Sequence, residues 1–134
     1  MPLKKLSERK EKEIKTKVVI FGGREYTDYE EFINKVVEIL DGLELSPDKV
    51  EIVEGGARGA DRLAKSFALD YGIRHKQFKA EWKKLGKGAG HVRNRKMADY
   101  CDFGIGFWDG ESKGTKNMIE TMKSLDKDVY VVRY

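Results

Sequence analysis

"VEGGARGADRLAKSFA" (Val53–Ala68) sets three glycines, an arginine and an aspartate between an apolar run and a helical pattern. Upstream, "KVEIVEGG" (Lys49–Gly56) reads as a strand. Downstream, Leu63, Ala64, Phe67, Ala68 and Tyr71 recur at helical spacing, and Gly72 stands where such a helix stops. A strand that runs through glycines directly into a helix is half of a strand–helix–strand unit. The flanking sequence should then repeat the alternation.

It does so on both sides. "KVVIFGG" (Lys17–Gly23) is a continuous apolar run ending in glycines, the pattern of a strand covered on both faces. Thr27 and Glu30 predict a capping box, followed by Tyr29, Phe32, Ile33, Val36, Val37 and Leu40 on one helical face. "LSPD" (Leu45–Asp48) turns the chain into the second strand, and "IRHKQF" (Ile73–Phe78) alternates as a third strand nearer an edge. A Gly/Lys-rich connection, Ala80–Gly90, leads to a short helix around Val92–Tyr100. "CDFGIGFW" (Cys101–Trp108) is a fourth strand, Met118, Ile119, Met122 and Leu125 mark a last helix, and "DVYVVRY" (Asp128–Tyr134) closes as a fifth strand. The expected fold class is α/β, a Rossmann-like parallel sheet of about five strands with helices on both faces. Residues 16–134 are read as one domain, and residues 1–15 as a charged leader, a solvated helix or arm outside it.

Composition bounds the function. The chain has 134 residues, 40% hydrophobic and 37% charged, which suits one soluble domain. The apolar runs fall short of a membrane span and the start lacks a signal peptide's apolar core, so no membrane partner is expected. One cysteine and two histidines make a structural zinc site improbable, and a reducing, cytoplasmic location follows by default. Residues 1–17 hold seven basic against three acidic residues, which accounts for the whole net charge of +4. Inside the domain only Lys79–Lys96 departs from balance, with seven basic residues and one acidic.

The glycines collect where the strands exit. Strand one leaves through Gly22, Gly23 and Arg24, and strand two through Gly55, Gly56, Arg58 and Gly59. Strand four leaves through Asp109, Gly110, Ser112, Lys113, Gly114 and Thr115. In a parallel sheet these exits share one edge, where ligands bind. Bare backbone, helix N-termini and the nearby cations suit phosphate or another anion. Asp61, in the first turn of the second helix, either caps that helix or accepts hydrogen bonds from ribose hydroxyls or a base. Neither a P-loop nor the Gly-x-Gly-x-x-Gly dinucleotide fingerprint occurs.

"GGARGADRLA", "EWKKLGKGAGHVRNRKMADYCD" and "GFWDGESKGTKNMIE", in that order, resemble the YspA-like (YpsA-related) branch of the SLOG superfamily. That superfamily also takes in the Lonely Guy phosphoribohydrolases and the DprA proteins. The resemblance covers the chain from about Lys17 onward. It implies a Rossmann-like domain whose Gly-rich loops bind a nucleotide or nucleotide-derived ligand such as ADP-ribose, a nicotinamide dinucleotide or a nucleoside phosphate. Carried over, the binding residues are Gly22, Gly23, Arg24, Gly55, Gly56, Arg58, Gly59, Asp61, Arg93, Asn94, Trp108, Gly110, Ser112, Gly114 and Thr115. The family also implies roles as nucleotide sensor or sequestering protein in bacterial and phage conflict, and homo-oligomers.

Catalysis is the second reading. Lonely Guy enzymes carry Gly-Gly-x-Gly-Thr-x-x-Glu with an upstream Arg-Lys pair. Here Arg95-Lys96 and Gly114-Thr115 stand at comparable places, but the glutamate position is Met118 and Glu120 falls about 200° away on a helix. Without that carboxylate the transition state of N-glycoside cleavage lacks its evident stabiliser. A binding protein without a required cofactor, a metal site or an assigned catalytic residue is therefore expected ahead of a hydrolase. Cys101 reads as a core residue, and His75 and His91 as surface or loop residues. Trp82, Lys83, Lys84, Lys87, Arg93 and Arg95 form either a surface for single-stranded nucleic acid or a movable lid over a phosphorylated ligand. The lid is preferred, because the remaining charge is balanced.

Overall fold

A computed structural model describes residues 16–134; the leader reading for residues 1–15 lies outside the described residues. Five parallel strands form one sheet in the order β3-β2-β1-β4-β5. They are β1 (Thr16–Gly22), β2 (Val50–Glu54), β3 (Arg74–Gln77), β4 (Phe103–Trp108) and β5 (Val129–Arg133). The third strand is an edge, as its alternation predicted. The helices are α1 (Tyr29–Gly42), α2 (Ala60–Asp70), α3 (Trp82–Leu85), α4 (Ala89–Tyr100) and α5 (Lys113–Ser124).

The period of two along β1 builds the layers. Val18 and Ile20 join a core with Phe32, Val36 and Leu40 of α1 and Ala64, Phe67 and Ala68 of α2. Val19 and Phe21 point the other way, into a core with Met97 and Ala98 of α4 and Met118, Ile119 and Met122 of α5. Every side chain of β1 between Val18 and Phe21 is buried, which is why its sequence is a continuous apolar run.

Several local readings change. Asp28, not Thr27, caps α1: its carboxylate accepts the Glu31 amide hydrogen at 3.1 Å. Glu31 then accepts from the Tyr26 hydroxyl at 2.9 Å instead of closing a box. Val37 and Tyr71, expected on buried faces, are exposed. The connection Ala80–Gly90 is helical rather than an open loop: α3 passes through a 3₁₀ turn, Gly86–Gly88, into α4, which starts three residues earlier than its apolar pattern indicated. Ala89 is buried, but alanine, glycine and histidine in succession carry no apolar periodicity, so the start of α4 was invisible to it. Among the described residues no helix is long and apolar enough to cross a membrane.

Candidate functional site

The chain builds outward from β1 to β2 and β3, then crosses to place β4 and β5 on the other side. Connections therefore diverge between β1 and β4, and a crevice opens at their carboxyl ends. A cleft of about 370 Å³ lies there. Its walls are Gly22, Gly23, Arg24 and Glu25 after β1, Asp109, Ser112, Gly114 and Thr115 at the head of α5, and Arg93 and Asn94 of α4. Phe21, Met97 and Met118, each almost wholly buried, form its apolar floor, and Ala57, Asp61 and Tyr134 complete the lining.

Gly59 explains how the first two loops meet. Its φ is +78°, and a Cβ there would fall 2.7 Å from Arg24 Cα and closer still to the Gly23 carbonyl oxygen. Only glycine lets the head of α2 press against the first loop, where the Ala60 amide donates to Gly23 O at 3.2 Å.

Asp61 does not cap its own helix; its carboxylate reaches back to the turn before it. It is 4% exposed, and Oδ2 accepts the Gly55 amide hydrogen at 3.0 Å. Burial pushes its carboxyl up to about 6, opposed by the nearby Arg93 guanidinium and by amide hydrogens of Gly55 and Ala57, and reinforced by the Glu54 charge. Glu54, wholly buried, accepts the Gly56 amide hydrogen at 2.8 Å, the Gln77 amide at 2.6 Å and pairs with His75 Nε2 at 3.3 Å. The amides of Gly55 and Gly56 are thus taken by two internal carboxylates. These two backbone donors hold the loop, which leaves the side chains around the turn to meet a ligand.

The third loop is organised in the same way. Asp109 accepts from the amides of Glu111 and Ser112 at 2.8 and 2.9 Å, and these bonds hold its carboxyl below the usual range. Ser112 caps α5 through the Thr115 amide, and the two hydroxyls lie 3.0 Å apart. Trp108 Nε1 donates to Ser112 O at 3.1 Å, so this indole fixes the loop from outside the cleft.

Beyond Arg93 lies a second cleft of about 410 Å³. Arg24, Ala57 and Arg93 line both clefts, so they form a ridge between them. Gly55, Gly56, Arg58, Gln77, Lys79, Ala80 and Trp82 line only the second. Arg58 is partly engaged by Glu25 at 2.9 Å. Lys79 and Arg24 make no ion pair among the described residues.

Of the residues singled out from sequence, Gly22, Gly23, Arg24, Asp61, Arg93, Asn94, Ser112, Gly114 and Thr115 line the first cleft. Gly55, Gly56 and Arg58 belong to the second. Gly59, Trp108 and Gly110 line neither and act on loop geometry. His75 is a half-buried partner of Glu54 in β3, a correction to its surface reading, while His91 is exposed. Sequence reasoning missed Glu54, Gln77 and Tyr134. A glutamate ending an apolar strand is the one signal that pointed to Glu54. Tyr134 packs on Tyr26, with ring centroids 4.7 Å apart, and only folding brings it over Gly23. Cys101 is buried, and burial pushes its thiol up to about 12, in keeping with a core residue. Among the described residues no group of His, Cys, Asp and Glu is arranged to hold a metal ion.

An open parallel sheet with a polar cleft at its switch point defines a Rossmann-like ligand-binding architecture. Within that class, the chain belongs to the YspA, cpYpsA-related SLOG family, whose model matches residues 16–85. It is 35% identical to the Gene 61 protein of Mycobacterium phage D29, across 81% of this chain and 90% of that relative. Its fold is similar to DNA processing protein A (DprA) of Streptococcus pneumoniae, with a TM-score of 0.69 at 21% identity. It is also similar to DprA of Helicobacter pylori, described with a single-stranded DNA binding mode, with a TM-score of 0.67 at 20% identity. Each match covers 89% of this chain but only 50% and 66% of the two DprA chains.

Proposed function

We propose that this chain binds a nucleotide in the first cleft. The observation that carries the reading is the convergence, at the β1/β4 switch point, of two guanidinium groups and the first turn of α5 on a hollow with apolar surface. Phe21, Met97 and Met118 suit a base or the carbon face of a ribose. Asn94, Asp61 and the Ser112 and Thr115 hydroxyls suit its polar edge. Arg24, Arg93 and the Gly114 amide suit the phosphate.

Binding is favoured over N-glycoside hydrolysis because Met118, at 1% exposure, occupies the position where phosphoribohydrolases carry glutamate. Glu120 is turned outward and pairs with Lys116 at 3.9 Å. Arg95 and Lys96 pair with Asp99 and Glu81 outside the cleft. A role in sensing or sequestering a signalling nucleotide, in the cytoplasm and as a homo-oligomer, is the matching biological proposal.

Single-stranded nucleic acid is the second reading. The exposed Trp82, the neighbouring lysines Lys83, Lys84 and Lys87, and the likeness to the Helicobacter protein favour it.

Calorimetric titration with AMP tests the first reading. Saturable binding is expected, weakened about tenfold or more by Arg24→Ala, since a charge-assisted hydrogen bond contributes about 1.5–3 kcal/mol. No heat and no thermal stabilisation from AMP or other nucleoside phosphates would defeat it.

A further inference from the structure

The second cleft is a separate volume with its own chemistry. It is bounded by Arg24, Arg58, Lys79 and Arg93, and no carboxylate lines it. The first cleft, by contrast, contains Glu25, Asp61 and Asp109. Negative charge on a ligand is therefore drawn towards the ridge and the second cleft rather than deeper into the first.

Trp82 adds a platform. Its indole lines the second cleft and is 53% exposed, a large apolar surface left to solvent. Its ring edge stands 3.5 Å from where a Cβ on Gly90 would sit, so α4 backs it closely. Gln77 faces the same space with its amide already oriented, because Nε2 donates to the buried Glu54 at 2.6 Å. An oriented amide beside an aromatic face suits a base-like ring, stacked and read along one edge.

Each cleft by itself lies at the lower end of the roughly 300–1,000 Å³ typical of ligand pockets, so each fits one nucleoside-sized body. Arg24 and Arg93 belong to both walls. Resting on the nucleotide reading of the first cleft, we infer that the two clefts are halves of one site. The ligand class is a dinucleotide-type molecule whose two ring-bearing halves are joined by a pyrophosphate crossing the Arg24–Arg93 ridge, with the second ring on Trp82.

The test compares AMP, nicotinamide adenine dinucleotide and an oligothymidylate by calorimetry on the full chain, with Trp82→Ala and Trp82→Phe. The dinucleotide should bind about tenfold or more tighter than AMP, the scale of one added ring stacking on an aromatic. Trp82→Ala should remove that advantage and leave AMP binding unchanged, and Trp82→Phe should restore most of it. If AMP binds and the dinucleotide binds no tighter, or if Trp82→Ala weakens both alike, the joined site is wrong while the first-cleft reading stands. If neither binds, both fall. Oligothymidylate binding tighter than the dinucleotide, lost in Trp82→Ala and falling steeply with salt, would make the second cleft a strand track and overturn the inference.

Discussion

The carboxylate of Asp61 accepts the amide hydrogen of Gly55 at 3.0 Å, six residues back along the chain. This bond ties the first turn of α2 to the turn that precedes it, and it does so with a buried charge. The Arg93 guanidinium approaches the same turn from α4, donating to Gly55 O at 2.6 Å. Three elements are thus fastened at one glycine.

The Asp61 carboxyl titrates at about 6 in the fold, against an ordinary value of 3.8. A raised carboxyl means the folded state holds its proton to higher pH than the unfolded chain. The associated stability is complete below about pH 4 and is lost as pH rises through about 6, at most about 3 kcal/mol. Asp61→Asn keeps an acceptor for Gly55 and abolishes the titration. Denaturant melts at pH 4, 5.5 and 7 should show the variant gaining relative to wild type as pH rises. Parallel curves for the two proteins would contradict this.

Arg93→Ala removes the cation that lowers the Asp61 carboxyl and the donor to Gly55. The Asp61 titration should then move above its wild-type midpoint, and stability at pH 7 should fall by about 2–4 kcal/mol as a buried charge loses its compensation. Titration of Asp61 followed by carbon-13 NMR reads the first effect independently of the second.

Two positive-φ glycines separate strain from collision. Gly59→Ala meets both an unfavourable φ and the backbone of Gly23 and Arg24, whereas a Cβ at Gly72 meets nothing within 4 Å. The first should cost more than about 3 kcal/mol, and the second about 1 kcal/mol, the backbone cost alone. Equal losses in chemical denaturation would show that the loops do not touch at Gly59.

Helix α1 offers a local check on its start. Asp28→Ala should cost about 1 kcal/mol by removing the acceptor for Glu31, and Thr27→Ala close to nothing. The reverse order would restore the capping box expected from the sequence.

Cys101 should be silent to thiol reagents in the folded protein. It is 1% exposed and its thiol is held up to about 12. Reaction with an aromatic disulfide reagent should appear only with denaturant, at the global unfolding midpoint. Rapid modification of the native protein would place it on an accessible surface.

The order of strands and helices was legible in the residues themselves. Continuous apolar runs such as Val18–Phe21, spaced helical faces such as Phe32, Val36 and Leu40, and glycines between them are local signals, and local spacing is all that a strand or helix needs. The same holds for one edge gathering Gly22, Gly55 and Gly114, since a parallel sheet puts every strand exit on one side. The start of α4 escaped, because Ala89, Gly90 and His91 carry no periodicity for solvent to sort.

Tertiary structure alone decided how that edge is partitioned. Whether an amide of the 55–57 turn is free for an anion depends on where Asp61 and Glu54 point, and that is set by burial, where an unpaired carboxylate is costly enough to claim the nearest donors. Likewise Arg93, Gln77, Trp82 and Tyr134 come from different elements and meet the glycine loops only through strand order and helix packing. Spacing along the chain holds no information about neighbours that distant, so the division into two clefts across an arginine ridge belongs to the fold.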